Sequence, residues 1–314
     1  MAGASAITIG AFDGVHLGHQ ALIRAARSAV GDGGKVLVLA FEPHPLRLIR
    51  PRDVPGRLSG FPQRRRWLME AGADDVVALE PTTELLSRSP RGFLDWLCTG
   101  HTPGVIVEGA DFRFGRNRAG SVETLRQHER IYGYQTVVVG DVEAALGDQS
   151  VVRVASSLIR WLVGHGRVRD AALLLGRPYE LECEVVHGDG RGGSALGVAT
   201  ANLDHGKYLL PADGIYTGIA TDPDGVAYPA AVSVGTKPTF GKHPRVCEAH
   251  LVDFDGRADE YGWKIKLEIH DWMRDQIAFE NAELLIEQIH RDIARVKREA
   301  GASARGPGVG VAGT

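Results

Sequence analysis

A short segment near the start of the chain places two glycines and two histidines between a strand pattern and a helix pattern. Residues 10–20 read GAFDGVHLGHQ. The first turn of a helix offers free backbone N–H groups and a partial positive charge, and Gly14 and Gly18 leave room for a phosphate. A lone histidine is more often a satisfied surface or core residue. The pair His16 and His19 is instead placed to neutralise a polyphosphate and the charge of a departing pyrophosphate, so the segment predicts a nucleotide-phosphate site.

Three later segments of the first half carry groups suited to binding, and each has a structural alternative. Residues 41–45 read FEPHP, in which two prolines stiffen either a wall for a planar ligand or an ordinary turn. Asp111 is suited to positioning a ribose hydroxyl or a metal, and Phe112 offers an aromatic surface, although alternating aromatic residues also occur in cores. Ser156–Ser157 either cap a helix or bind phosphate, and Arg160 one turn later either reaches the same anion or is a solvated charge.

The second half combines oxygen donors with a glycine-rich segment. Thr200 and Asn202 lie two residues apart on an extended pattern, so they share one face and offer a hydroxyl and an amide oxygen. Glu248 lies in a strand pattern, where a glutamate is usually a solvated surface charge. A flexible glycine-rich loop can close over phosphates through its backbone N–H groups, and here it contains Gly188, Gly190 and Gly192.

In chain order, these segments resemble the bifunctional bacterial riboflavin kinase/FAD synthetase family. Residues 16–19 carry the His-x-Gly-His signature of its adenylyltransferase half, with 109–115 (GADFRFG) and 154–160 (VASSLIR) following in the expected order. The resemblance to the kinase half of the family rests on residues 198–203 (VATANL), 211–216 (PADGIY), 234–240 (VGTKPTF), 248–251 (EAHL) and 261–262 (YG). The resemblance extends from about Ile7 to Val296.

The resemblance implies an enzyme that phosphorylates riboflavin with ATP to FMN and then adenylylates FMN with ATP to FAD and pyrophosphate. It implies Mg²⁺ held by Thr200 and Asn202, Glu248 as the general base for the ribityl 5′-hydroxyl, and catalytic roles for His16 and His19. The implied ATP and phosphate ligands are Gly10, Phe12, Asp13, Gly14, Gly18, Asp111, Ser156, Ser157, Arg160, Gly188, Gly190, Gly192, Thr200 and Asn202. The implied flavin contacts are Pro43, His44, Phe112 and Tyr261.

Four positions depart from the family pattern. Ala155 and Leu158 predict one phosphate hydrogen bond and one positive charge fewer, Ala199 predicts a looser segment around the metal ligands, and Glu260 lies in a loop expected to line the flavin pocket. The implied catalytic groups are all retained. An enzyme with only one live activity, or a non-catalytic flavin- or nucleotide-binding regulator, remains an alternative that product analysis separates.

Strands and helices alternate in the first half, which predicts a doubly wound, Rossmann-like parallel sheet of the nucleotidyltransferase type. Residues 156–175 predict two helices separated near Gly164 and Gly166, and a Gly-Arg-Pro break at 176–178 ends them. Short strands with regular turns then predict an antiparallel β-barrel, followed by a helix over 279–297. We expect an adenylyltransferase domain at 1–175, a kinase domain at 176–299 and a disordered tail at 300–314.

Composition excludes several classes of protein. The 314 residues include 36 basic and 39 acidic side chains, a net charge of -3 that argues against a strongly basic nucleic-acid binder. No apolar run reaches the ~18 residues of a membrane span, and the N-terminus lacks the pattern of a signal peptide. The three cysteines, Cys98, Cys183 and Cys247, are too few and too widely spaced for a disulfide framework or zinc site. We expect a cytoplasmic protein whose partners are riboflavin, FMN and ATP rather than nucleic acid or membrane.

Overall fold

The computed structural model describes residues 5–187, 200–236, 245–254 and 260–303. It divides into two compact units. The first unit comprises Met1–Ile159 and Leu174–Gly176, and the second comprises Arg160–Leu173 and Arg177–Thr314. The chain therefore enters the second unit, returns briefly to the first and enters the second again.

The first unit is built on a parallel five-stranded sheet in the order β3-β2-β1-β4-β5. Its strands are β1 Ser5–Gly10, β2 Lys35–Phe41, β3 Asp75–Leu79, β4 Val105–Gly109 and β5 Gln135–Val139. The nearly continuous apolar sequence of β2 suits a strand covered on both faces. The strand order reverses between β1 and β4, the position at which sheets of this type receive ligands. The predicted doubly wound sheet is confirmed.

Helices cover both faces of this sheet. They are α1 Leu17–Val30, α2 Leu46–Ile49, α3 Phe61–Glu70, α4 Thr83–Ser87, α5 Pro90–His101 and α6 Val122–Tyr132, and a small hairpin adds β6 Glu143–Ala145 and β7 Val151–Arg153. One core cluster contains Ile23 and Trp67 of α1 and α3, and another contains Leu94 and Leu125 of α5 and α6. Two separate cores thus hold the carboxyl ends of the strands in fixed positions.

The second unit contains a closed antiparallel barrel in the order β10-β11-β12-β9-β8-β13. Its strands are β8 Tyr179–Val186, β9 Ala201–Asp204, β10 Gly214–Thr221, β11 Ala227–Gly235, β12 Val246–Leu251 and β13 Lys264–Arg274. Alternate residues fill the interior, among them the fully buried Val232, Cys247 and Ala249. The predicted barrel is confirmed, and Cys98, Cys183 and Cys247 are free thiols.

The two helices predicted over 156–175 are α7 Ser156–Gly164 and α8 Val168–Leu175. Most of this segment belongs to the barrel unit, although the predicted domain boundary assigned it to 1–175. The reason is packing within that unit. The backbone N–H of Ala212 donates to the Val163 carbonyl at 3.3 Å, and a Cβ on Gly166 would lie 3.1 Å from the Tyr216 hydroxyl.

The C-terminal helix, α9, spans Ala282–Ser303. It begins and ends later than the predicted 279–297, so residues 300–303 are helical and the prediction of disorder from residue 300 is wrong there. Arg295 and Glu299 form an ion pair at 2.7 Å one turn apart, which stabilises the last part of the helix. The rest of the predicted tail, 304–314, lies outside the described residues.

Candidate active sites

The turn between β1 and α1 brings the two histidines together. His16 is the N-cap of α1, and its Nδ1 accepts a hydrogen bond from the backbone N–H of His19 at 3.3 Å. The two rings are stacked with 3.6 Å between their centroids. His16 is only 6% exposed. Cap and stacking together fix both imidazoles at the positive end of the helix, where an anion is stabilised.

Small residues of this turn make room for rings rather than only for a ligand. Phe12 is 2% exposed, and its ring packs edge-to-face with that of His19, with 5.2 Å between the ring centroids. A Cβ on Gly10 would lie 3.2 Å from the Phe12 ring, and one on Gly18 would lie 3.2 Å from the His16 ring. Gly18 therefore leaves room for the His16 ring, and its role as clearance for phosphate stays a prediction. Phe12 supports His19 from the core, and its direct contact with ATP stays a prediction.

Asp13 anchors the turn to the segment before α3. Its carboxylate is buried and accepts hydrogen bonds from the backbone N–H groups of Leu58 and Ser59 and from the Ser59 hydroxyl, at 2.9–3.1 Å. Gly14 has φ +80° and donates its N–H to the Ser59 Oγ at 2.8 Å. The Asp13 side chain thus shapes the turn, and the ATP contact implied by the family resemblance stays a prediction. Ser59, 46 residues after Asp13, was missed by the sequence analysis.

The start of α7 lies against the same turn. The Ser156 Oγ donates to the Asp13 carbonyl at 3.1 Å, so this hydroxyl holds the turn. Ser157 lies next to it and is exposed. Arg160 lies on the same helix but falls in the second unit, and its contact with phosphate stays a prediction.

A buried arginine ties together the ends of β1 and β2. The Arg64 Nη1 donates to the carbonyls of Ala11 at 2.6 Å and Phe41 at 3.0 Å, and its Nη2 forms an ion pair with Glu42. Its side chain is 4% exposed, and burial lowers the pKa of its guanidinium. Arg57 also pairs with Glu42. The sequence analysis did not identify this network, which holds in place the loop that carries the predicted flavin residues.

That loop contains Pro43, which follows a cis peptide bond with Glu42. The His44 Nδ1 accepts a hydrogen bond from the Leu46 N–H at 3.1 Å, so the imidazole fixes the start of α2. Both residues lie directly after β2, at the same sheet edge as the histidine pair.

The segment after β4 carries the other predicted ligands of the first unit. Asp111 is exposed and forms an ion pair with Arg153 at 2.8 Å, and Arg153 also pairs with Asp141 at 2.9 Å. The Phe112 and Phe114 rings are stacked at 5.5 Å. Phe114 is buried and packs in the core, whereas Phe112 is partly exposed and leaves aromatic surface available to a ligand.

The second site lies on the outer face of the barrel. Glu248 of β12 is paired with Asn202 of β9 on one side and Ser233 of β11 on the other. The flanking residues Cys247 and Ala249 point into the interior and are fully buried, so the three polar side chains form one row outside. Ser233, which the sequence analysis missed, accepts a hydrogen bond from Gln276 at 2.8 Å.

Other predicted residues lie near one end of this row. Thr200 directly precedes β9 and is exposed, two residues before Asn202. Asn202 is also paired with Val186 at the end of β8. The next residue is His187, and its ring packs against that of Tyr261 with 4.7 Å between the ring centroids. Tyr261 is 48% exposed. Gly188, Gly190 and Gly192 lie outside the described residues, as does Ala199, one of the departures from the family pattern.

Fold and sites define a Rossmann-like unit joined to a closed-barrel unit, and comparison with known proteins agrees. The family model for "FAD synthetase" matches residues 2–153, and that for "Riboflavin kinase" matches residues 175–300. The "Bifunctional riboflavin kinase/FMN adenylyltransferase" of Escherichia coli (strain K12) is 31% identical over 300 residues, which cover 91% of this chain and 90% of that protein. The protein of the same description from Bacillus subtilis (strain 168) is 30% identical, with 92% and 90% covered. The chain belongs to the family of bifunctional riboflavin kinase/FMN adenylyltransferases, and both domains are present.

A solved structure supports the fold over nearly the whole chain. It is described as a macrolide-efflux protein from Streptococcus pneumoniae, is 27% identical, covers 95% of each chain and has a TM-score of 0.82. Across the part of this chain that the structure describes, no helix is both long and apolar enough to cross a membrane.

Proposed function

We propose that the chain converts riboflavin to FMN in its barrel unit and FMN to FAD in its Rossmann-like unit. The observation that carries the proposal is that the two family models match separate parts of the chain, and each part contains one of the two candidate sites. ATP is the second substrate of both reactions.

For the kinase reaction, the riboflavin 5′-hydroxyl oxygen attacks the γ-phosphorus of ATP, the bond to the β-phosphate oxygen breaks, and ADP leaves. Glu248 accepts the proton of the hydroxyl, a task for which a half-buried carboxylate on an accessible barrel face is suited. Asn202 lies directly opposite, so one cross-strand pair offers both an acceptor for the proton and an amide oxygen near the transferred group.

Mg²⁺ is the metal that this donor set suits, because a hydroxyl and an amide oxygen are hard ligands of the kind it prefers. Thr200 and Asn202 would hold it, and when bound it supplies charge neutralisation to the ATP phosphates. The glycines of the preceding loop, Gly188, Gly190 and Gly192, are proposed to contact the same phosphates through backbone N–H groups. Tyr261 is proposed to contact the flavin.

For adenylyl transfer, an FMN phosphate oxygen attacks the α-phosphorus of ATP and pyrophosphate leaves. His16 and His19, stacked at the start of α1, are proposed to stabilise the charge of that leaving group. Gly10, Gly14, Ser156, Ser157 and Arg160 are proposed to complete the phosphate site, and Pro43, His44 and Phe112 the flavin site. The cytoplasmic location expected from the sequence stays a prediction.

The test is product analysis by chromatography. The purified chain is incubated with riboflavin, ATP and Mg²⁺, and separately with FMN, ATP and Mg²⁺. We expect FMN followed by FAD in the first reaction, and FAD with equimolar pyrophosphate in the second. If the first reaction yields FMN but neither reaction yields FAD, only the kinase is active. If FAD forms from supplied FMN but riboflavin is not converted, only the adenylyltransferase is active. Flavin binding without any product would favour the non-catalytic regulator and refute the proposal.

A further inference from the structure

Strands β1 and β4 separate before they reach their carboxyl ends. β1 is paired with β2 along the whole of Ser5–Gly10. With β4 it is paired at two positions, Ala6 with Val105 and Ile7 with Ile106, although both strands are described in full. The opening lies where the strand order reverses, between the histidine turn that follows β1 and the segment that follows β4.

A carboxyl group takes the place of the missing ladder bond. Glu108 lies on β4, two residues after Ile106, and its Oε1 accepts a hydrogen bond from the backbone N–H of Ile9 at 2.7 Å. Backbone N–H groups two residues apart in a strand point toward the same neighbouring strand. The N–H of Ile9 therefore points toward β4, as that of the paired Ile7 does. A side chain thus accepts a bond that a β4 carbonyl would otherwise accept, and the backbones stay farther apart.

The position is an unusual one for an acid. Glu108 is 2% exposed and follows three buried apolar residues in the strand, Val105, Ile106 and Val107. Burial raises the pKa of Glu108 well above its ordinary value; the negative charge of Asp111 acts in the same direction, and the hydrogen bond from Ile9 opposes it. The neutral carboxyl is therefore favoured. An apolar side chain would be easier to bury here, so core packing alone does not account for the glutamate.

We propose that Glu108 is a positioning residue for adenylyl transfer, holding β1 and β4 apart and so fixing the histidine turn relative to the segment after β4. The inference rests on the function proposed for the first unit. Gly10 directly follows Ile9, and Gly109 directly follows Glu108, so a change in strand separation passes at once into both segments. A displacement of about 1 Å in a catalytic arrangement can reduce the rate about 10²-fold.

Two substitutions and one control test the proposal in the full-length protein. Glu108→Val removes the acceptor and supplies a strand-forming apolar side chain, which lets Ile9 pair with the β4 backbone. We expect kcat for FAD formation to fall about 10- to 100-fold, with KM for ATP, the thermal midpoint and FMN formation little changed. Glu108→Gln keeps an oxygen acceptor of the same size, and we expect its kcat to stay within about threefold of the wild type. The control, Ile106→Val, removes a methylene at a paired position and should lower the thermal midpoint without a selective loss of kcat.

The outcomes separate positioning from general stabilisation. Wild-type kcat in Glu108→Val would overturn the proposal, and so would a loss of kcat that parallels a lowered midpoint in both variants. If Glu108→Val does not fold, Glu108→Ala takes its place as the variant without an acceptor for the Ile9 N–H. A loss of kcat in Glu108→Ala with Glu108→Gln near the wild type supports the proposal, and a wild-type kcat in Glu108→Ala overturns it. A wild-type protein that forms no FAD would instead refute the function proposed for this unit.

Discussion

Asn202 and Glu248 lie directly opposite each other in the antiparallel ladder between β9 and β12, on the outer face of the barrel. Directly opposed side chains in such a ladder have Cβ atoms about 4.5–5.5 Å apart. The two candidate groups, 46 residues apart in sequence, are therefore held by backbone hydrogen bonds rather than by a mobile loop. This arrangement is the firmest structural support for a kinase centre in the second unit.

The first prediction isolates the proton acceptor. Glu248→Gln keeps the size of the side chain but cannot accept a proton at neutral pH. We expect kcat for FMN formation to fall by about 10²-fold or more, while FAD formation from supplied FMN stays within about twofold. Glu182→Gln, the same change on another strand of the barrel, is the matched control and should keep kinase activity. An unchanged kcat in Glu248→Gln would remove Glu248 from the mechanism.

The second prediction concerns the stacked histidines. His19→Ala removes a ring fixed against His16 and Phe12, and we expect FAD formation to fall about 10²-fold with FMN formation nearly unchanged. Steady-state rates of both products are the measurement. His128→Ala, on α6, should leave both rates near wild type. Equal loss of both activities would argue against separate sites.

The third prediction tests the anchor of the turn. Ser59→Ala removes the acceptor for the Gly14 N–H and a donor to Asp13, both buried, and should reduce the free energy of unfolding by about 1–3 kcal/mol. FAD formation should decline more than FMN formation, because the turn carries the histidines. Ser87→Ala removes an exposed hydrogen bond to Glu84 and is expected to have almost no effect on either. Denaturation curves and product rates together decide the outcome.

The fourth prediction is a pH dependence of stability. Glu108 has a pKa well above its ordinary 4.5 in the folded protein, whereas in the unfolded chain it ionises near that value. Above pH 4.5 the folded state therefore holds a proton that the unfolded state has lost, and stability falls as the pH rises until the folded carboxyl also ionises. Relative to Glu108→Gln, the wild type should lose about 1.4 kcal/mol per pH unit across that window. Parallel stability curves for the two proteins would contradict the assignment.

The fifth prediction uses the division of the chain. A fragment that starts at Arg160 keeps Val163 and Gly166, which lie against Ala212 and Tyr216, whereas one that starts at Arg177 lacks both. We expect the longer fragment to be more stable and to phosphorylate riboflavin. The thermal midpoints and the rates of FMN formation of the two fragments provide the comparison. Equal stability would mean that α7 and α8 contribute nothing to the barrel unit.

Local pattern was enough to predict most of the architecture. The apolar run of β2 over Lys35–Phe41 is easily identified in the sequence, because a strand buried on both faces leaves a continuous signal. The hairpin strands β6 and β7 were missed because three residues each are too short to show alternation. The end of α9 was placed too early because a composition rich in Ala and Gly was interpreted as disorder, although the helix continues through Ser303.

Contacts between distant residues could not be predicted in this way. Spacing alone suggested that His16 and His19 meet, because both lie in one turn. Ser59 and Arg64 follow β2 in the chain, and no local pattern marks a serine or an arginine as the partner of a backbone 45 or 53 residues away. Glu108 was not singled out by the sequence analysis, since its role depends on a gap between strands that only the pairing reveals.

Closure of the barrel affects which unit of the protein offers strand edges for aggregation. Each of the six strands has a neighbour on both sides, so the barrel presents no open strand edge to another chain. In the parallel sheet, β3 and β5 are the outer strands and keep unpaired backbone groups along one side. Among the described strands, edge-to-edge aggregation is therefore expected to begin in the Rossmann-like unit.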